Sequence, residues 1–152
     1  MAATITSPTT FGAEPLASDY EQLKRESGIP RGIVDHYGIR RVTDSEAREI
    51  VGANGHGNYS GLLFPIWGFD GKIREYCVRR DHPDLEQKAD GSKATKRKYV
   101  YPPGRGNVLM LVPGIGQWWE DPSRTVVITE GVKKAISLQI ASITGNKESR
   151  LA

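Results

Sequence analysis

Glu130 stands where a β-branched run, Thr125-Val126-Val127-Ile128-Thr129, gives way to Gly131 and a helical pattern from Val132 to about Ser142. A carboxylate at the carboxyl end of a buried strand lies in the crevice where open α/β sheets place their ligands. Gly131 permits a tight strand-to-helix turn. The helix N-terminus that follows favours a nearby anion, and Lys133 and Lys134 add positive charge at the same spot. The pattern suits phosphate binding, or acid–base or metal chemistry at Glu130. It equally suits a carboxylate that caps a helix above two surface lysines.

A second candidate is spread over a longer stretch. From Lys72 to Arg105 the chain carries ten Lys/Arg against five Asp/Glu, a net of +5; the remainder, eleven against thirteen, carries −2. A basic segment on a near-neutral body is an electrostatic footprint for nucleic acid or phosphate, or else a solvated loop of mixed charge. Tyr99 and Tyr101 interleave with its basic residues. They either stack on bases or alternate into a small core.

Other site classes find little support. His36, His56 and His82 are scattered and show no zinc spacing with Cys77,. The chain has no Gly-x-x-x-x-Gly-Lys-Ser/Thr loop, and the Gly104–Gly106 and Gly114–Gly116 pairs read as loops,. No serine or cysteine sits in a nucleophile motif. Trp118 and Trp119 read as a packing lid rather than a base platform. The single cysteine rules out an intramolecular disulfide and points to a cytoplasmic setting,. No apolar run approaches the ~20 residues of a membrane span, and no signal peptide is expected.

The elements that must position these residues are legible in outline. Residues 1–17 are rich in Ala, Thr, Ser and Pro and read as a disordered leader,. Residues 18–52 read as a helical unit. One helix starts with Ser18 and Glu21 as a capping box and ends near Gly28; a short one carries Ile33, Val34 and Tyr37 and stops at Gly38; a third is capped by Thr43 and Glu46 and runs to Gly52,. Residues 53–124 read as a basic β subdomain. Its signals are a loop to Gly61, an apolar strand Leu62–Trp67 whose Pro65 suggests an edge strand or a strand end, an Asp70-Gly71 hairpin turn and a return strand Ile73–Val78. A charged loop Arg79–Lys96 and strands at Arg97–Tyr101 and Val108–Val112 follow. Residues 125–152 hold the buried strand and helix around Glu130. The predicted class is α+β: a small helical unit, a mostly antiparallel sheet, then one strand and helix of an α/β unit that pack back onto the upstream strands or onto a partner.

The order of these features resembles the catalytic core of bacterial replicative primases. The resemblance runs through Phe64-Pro65-Ile66, Asp70-Gly71, the strand end at Arg79-Arg80, Lys98-Tyr99 with Pro102-Pro103, and Glu130-Gly131, which would open a topoisomerase–primase (Toprim) fold. Ser27-Gly28-Ile29, Leu111-Val112-Pro113-Gly114 and Lys133-Lys134-Ala135 are also similar to an uncharacterised domain family of phages, plasmids and integrative elements, often found ahead of helicase-like segments. The lysines stand where the primases usually carry an acidic residue. The resemblance implies that Arg79, Arg80, Lys96, Arg97, Lys98, Tyr99 and Arg105 contact single-stranded DNA or a template–primer. It implies that Gly131, Lys133 and Lys134 form a turn or phosphate contact, and that Glu130 is a catalytic or metal-binding carboxylate. An Asp-x-Asp pair would complete a Mg²⁺ site in that fold, but none occurs here, and only Glu148 follows Glu130. Mg²⁺ is therefore expected only if carboxylates come from elsewhere, and the domain is expected not to be catalytic alone. The runner-up is a non-enzymatic module that docks a helicase or a separate Toprim half, or a truncated remnant.

Overall fold

The computed structural model describes residues 11–104 and 109–148. Three helices open the fold: α1 (Ala17–Ser27), α2 (Arg31–Tyr37) and α3 (Asp44–Val51), with strand β1 (Arg40–Val42) between the last two. Each helix ends at a glycine in the left-handed conformation, Gly28, Gly38 or Gly52, a φ that side chains resist. Thr43 caps α3 as predicted: its hydroxyl accepts from Glu46 N at 3.3 Å, and Glu46 Oε2 accepts from Thr43 N at 2.8 Å. At α1 the cap differs from expectation. Asp19, not Glu21, reaches back, accepting from Leu16 N at 2.8 Å.

A hairpin of β2 (Gly61–Trp67) and β3 (Ile73–Arg80) forms the centre, turning at Asp70-Gly71 with φ +71° at Gly71. A small ribbon, β4 (Asp84–Gln87) with β5 (Lys93–Lys96), leads to β6 (Tyr99–Val100). The main sheet has the order β1-β2-β3-β6 and every pairing is antiparallel. The α+β class follows directly. The expected charged loop Arg79–Lys96 is instead the end of β3 plus the ribbon; Asp90 accepts from Ser92 N at 2.9 Å to close its tip.

Side-chain alternation along β2 and β3 sorts residues onto two covered faces. Leu62, Phe64, Ile66 and Cys77 pack with Leu23, Ile29, Val34 and Ile136 under α1, α2 and helix α4 (Val132–Glu148). Leu63 and Val78 pack with Val42, Ala47, Val51 and Tyr59 under α3. All seven residues of β2 are buried, because both of its faces are covered. Pro65 therefore does not mark an edge strand. β1 pairs only with Gly61–Leu63, and past it only Trp67 is bridged on that side, to Leu111, so among the described residues no strand pairs with Pro65 there and proline is tolerated,.

Two other expectations are corrected. Of the predicted leader, residues 1–10 lie outside the described ones, but within residues 11–16 Ala13 bridges to β1. Ala13 N donates to Arg41 O at 2.7 Å and Arg41 N to Ala13 O at 2.9 Å. Gly12 makes this approach possible, since a Cβ there would lie 2.7 Å from Arg41 O. The strand expected over 125–129 does not form. Val126, Val127 and Ile128 are 60%, 64% and 84% exposed, and among the described residues no hydrogen bond ties this segment to a sheet. Neither edge strand, β1 or β6, reaches it, so its β propensity has nothing to pair with. The helix that follows does pack back as expected. Ile136 is buried in the first core, and Ser137 Oγ donates to Ser27 O at 2.5 Å. Of the expected strand Val108–Val112, an isolated bridge between Leu111 and Trp67 is present; residue 108 lies outside the described ones.

Candidate nucleic-acid interface

β3 runs two residues past its predicted end, so Arg79 and Arg80 lie within the sheet and face opposite ways. Arg80 is 1% exposed. Its Nε donates to Asn58 O at 2.7 Å, and its two Nη atoms donate to the Asp84 carboxylate at 2.9 and 3.0 Å. Its guanidinium also lies 4.7 Å from the centre of the Tyr59 ring, with that of Arg48 4.5 Å from the same ring. Arg48 in turn donates to Asp44, Gly55 O and Gly57 O at 2.8, 2.7 and 2.5 Å. Asp44 accepts from Tyr59 N at 2.6 Å. The Gly/Asn-rich loop 53–60 is thus laced to the sheet by two arginines. The Arg80 guanidinium holds Asp84 below its ordinary range, as Arg48 does Asp44. Arg80, expected to contact a strand, is buried and fully engaged; it is part of the scaffold.

Arg79 faces α1 and α4. Its side chain is 6% exposed. Nη1 donates to Gln22 Oε1 at 3.2 Å, Nη2 lies 3.8 Å from Glu26 Oε2, and the buried Nε has no partner among the described residues. Lys133, from the first turn of α4, reaches the same Glu26 oxygen at 3.4 Å with its own side chain 17% exposed. Burial lowers the Lys133 ammonium first; repulsion from Arg79 and from Lys98 lowers it further. Glu26 is held below its usual range by the hydrogen bond from Gln22, then by Lys133 and Arg79. Tyr99 lies opposite Arg79 in the β3–β6 register, and burial raises its hydroxyl. Two cations, Arg79 and Lys133, therefore share one carboxylate at the junction of α1, β3 and α4, and Lys98 lies close enough to repel Lys133. Excess positive charge held out of water attracts an anion such as a phosphate.

The predicted site residues divide accordingly. Arg79, Lys98, Tyr99 and Lys133 come together. Lys96 is exposed on the ribbon and pairs with Glu86 at 3.2 Å. Arg97 is exposed and sits at the rim of a cleft of about 420 Å³ between loop 52–55 and β6, which Tyr99 and Tyr101 also line. Arg105 lies outside the described residues. Lys134 points away from Lys133 and pairs with Glu130 along the helix; their side chains are 62% and 80% exposed. The pairing lowers Glu130. At Gly131 an added Cβ would meet nothing within 4 Å, so close packing does not require glycine there. Trp119 packs edge-on to Phe69 at 4.4 Å between ring centres, against the β2–β3 turn; the Trp118 side chain lies outside the described ones.

Glu130 does not make a Mg²⁺ site as placed. That ion asks for several oxygen ligands, and the neighbour of this carboxylate is an ammonium group. Among the described residues no group of three His, Cys, Asp or Glu is positioned to hold a metal. No helix among them is long and apolar enough to cross a membrane. Sequence reasoning missed Gln22, Glu26 and Tyr59. No local signal marks them, because their partners lie on other elements: α3 and β3 for Tyr59, β3 for Gln22, and β3 and α4 for Glu26. Compared with protein-family models, characterised proteins and solved structures, the chain matches none.

Proposed function

We propose that this chain is a nucleic-acid-binding, primase-like domain of a mobile-element replication protein. It works in the cytoplasm, grips the phosphates of single-stranded DNA or a template–primer, and is not catalytic by itself. The observation that carries the proposal is the pair of largely buried cations, Arg79 and Lys133, that share the single carboxylate of Glu26, with Lys98 close enough to repel Lys133. Contacts of this kind bind strands without regard to sequence and weaken steeply with salt. Mg²⁺ chemistry at Glu130 would need carboxylates from a separate Toprim half or a helicase-associated partner. The exposed Val126-Val127-Ile128 segment supports the second role, docking such a partner, since apolar extended chain gains by adding to a sheet edge,.

Fluorescence anisotropy of a labelled single-stranded DNA across a salt series tests the proposal. The wild type should bind with a steep salt dependence. Lys98→Ala/Lys133→Ala should weaken binding and flatten the log–log slope by about 1.4, at about 0.7 per phosphate contact on a single strand. A folded wild type that does not bind at low salt would sink the proposal.

A further inference from the structure

The cleft beside β6 has the chemistry of a site for a planar aromatic ligand with polar edges. It holds about 420 Å³, within the ordinary range for small-ligand sites. Val51, Ala53, Val100 and Pro103 give apolar walls, and Tyr99 and Tyr101 give aromatic ones. The opposite wall is preorganised, because Arg48 and Arg80 hold loop 53–60 by three of its carbonyls and by the Tyr59 ring. Gly55 passes close to the Tyr59 hydroxyl: a Cβ there would lie 2.7 Å from that oxygen and 3.9 Å from Arg97 Nη1. Glycine thus leaves room at the wall and brings the backbone to the cleft.

Arg97 supplies the second observation. Its φ of +52° makes it the one non-glycine residue in the left-handed region among the described residues. That conformation costs an L-residue free energy and concentrates at ligand-binding positions. Arg97 is exposed; its charge helps to depress the Asp84 carboxyl, but no hydrogen bond holds its guanidinium among the described residues. A strained guanidinium at the mouth of an aromatic-lined cleft, free of hydrogen bonds there, suits stacking on a ligand ring or holding its phosphate. Tyr99 joins the cleft to the cationic cluster, lining the one and pairing in register with Arg79 of the other.

We propose that this cleft receives one base of the bound strand, stacked against Tyr99 and Tyr101 with Arg97 over its open side. The assignment rests on the proposed strand binding, so its test separates base from phosphate. Three ligands are compared: a thymidine oligomer, an abasic sugar–phosphate oligomer of the same length, and uncharged nucleosides followed by NMR saturation transfer. The thymidine oligomer should bind about ten- to a hundredfold tighter than the abasic one, the range expected of a stacked base. Ala53→Trp, which plugs the cleft, should shrink that gap to under about threefold while leaving abasic binding unchanged. Tyr101→Ala should act in the same direction and serves if Ala53→Trp fails to fold by circular dichroism.

Equal, salt-sensitive binding of both oligomers would leave the phosphate cluster standing and overturn the base cleft. If neither oligomer binds but nucleosides give saturation transfer that Ala53→Trp removes, the cleft stands and the phosphate contact falls. Silence from the nucleosides together with no gap between the oligomers overturns the cleft.

Discussion

Replacing Arg80 with alanine should lower stability by about 3 kcal/mol while leaving the phosphate cluster intact. Arg80 Nε donates to the Asn58 carbonyl at 2.7 Å, a charge-assisted bond of about 1.5–3 kcal/mol. Its position over the Tyr59 ring contributes about 0.5–2 kcal/mol. The two bonds to Asp84 are screened by solvent, since that side chain is 42% exposed, and add little beyond this. These contributions share one guanidinium and do not add fully. Breaking a buried pair typically costs about 3–5 kcal/mol, and the exposure of Asp84 places the loss at the low end. For a chain of this length that loss lowers Tm by about 6–12 °C. Urea unfolding followed by tryptophan fluorescence and far-UV circular dichroism would read it, with coincident transitions as the two-state check. Arg80→Lys should recover only part of the loss, because an ammonium cannot reproduce the bidentate fork. A loss under about 1 kcal/mol, well below the cost of breaking a buried pair, together with a fall in DNA affinity would refute the scaffold role and make Arg80 a strand contact.

Gly61→Ala should be among the most damaging small substitutions, costing about 3 kcal/mol or more in a thermal melt. A Cβ there would run into the Arg79 carbonyl, which is backbone and cannot yield. Ile128→Asp should change stability by no more than about 0.5 kcal/mol, as exposed positions do, because Ile128 is 84% exposed; a loss of several kcal/mol in the same melt would mean the segment is a buried strand after all. The Asp84 carboxyl is depressed below its ordinary 3.8, chiefly by the hydrogen bond from Arg80. Its contribution to stability is present above that ordinary value and lost as pH falls through the folded one. Asp84→Asn should therefore flatten the acid limb of a stability–pH profile, and an unchanged limb would contradict the pairing.

Local chemistry is what one-dimensional reading recovers. The three glycine-ended helices, the Thr43–Glu46 cap and the Asp70-Gly71 hairpin are each fixed by residues within a few positions of one another, so their signals are complete in a short window. The α+β class follows from the same signals. The ribbon at 84–96 was missed because its strands are almost wholly exposed and lack an apolar period. The β propensity of 125–129 predicts a strand, yet β propensity expresses packing against neighbours, and no strand among the described residues pairs with that segment.

Adjacent residues of the same type show where the boundary falls. Alternation along a strand dictates that Arg79 and Arg80 face opposite ways, and helical geometry separates Lys133 from Lys134. That much belongs to the amino-acid sequence. It does not say what each face meets. Arg80 is claimed by a loop carbonyl and Asp84 on one face, and Arg79 by Gln22 and Glu26 of α1 on the other. Lys133 is drawn into the cluster around Glu26, while Lys134 is left in solvent with Glu130. Composition and order determined that the chain would carry a basic, tyrosine-bearing sheet. Only tertiary packing decided which cations are spent on the scaffold and which remain as surplus charge, because burial and charge pairing depend on contacts between separate elements, 22 positions apart for Arg80 and Asn58, 57 for Arg79 and Gln22 and 107 for Lys133 and Glu26.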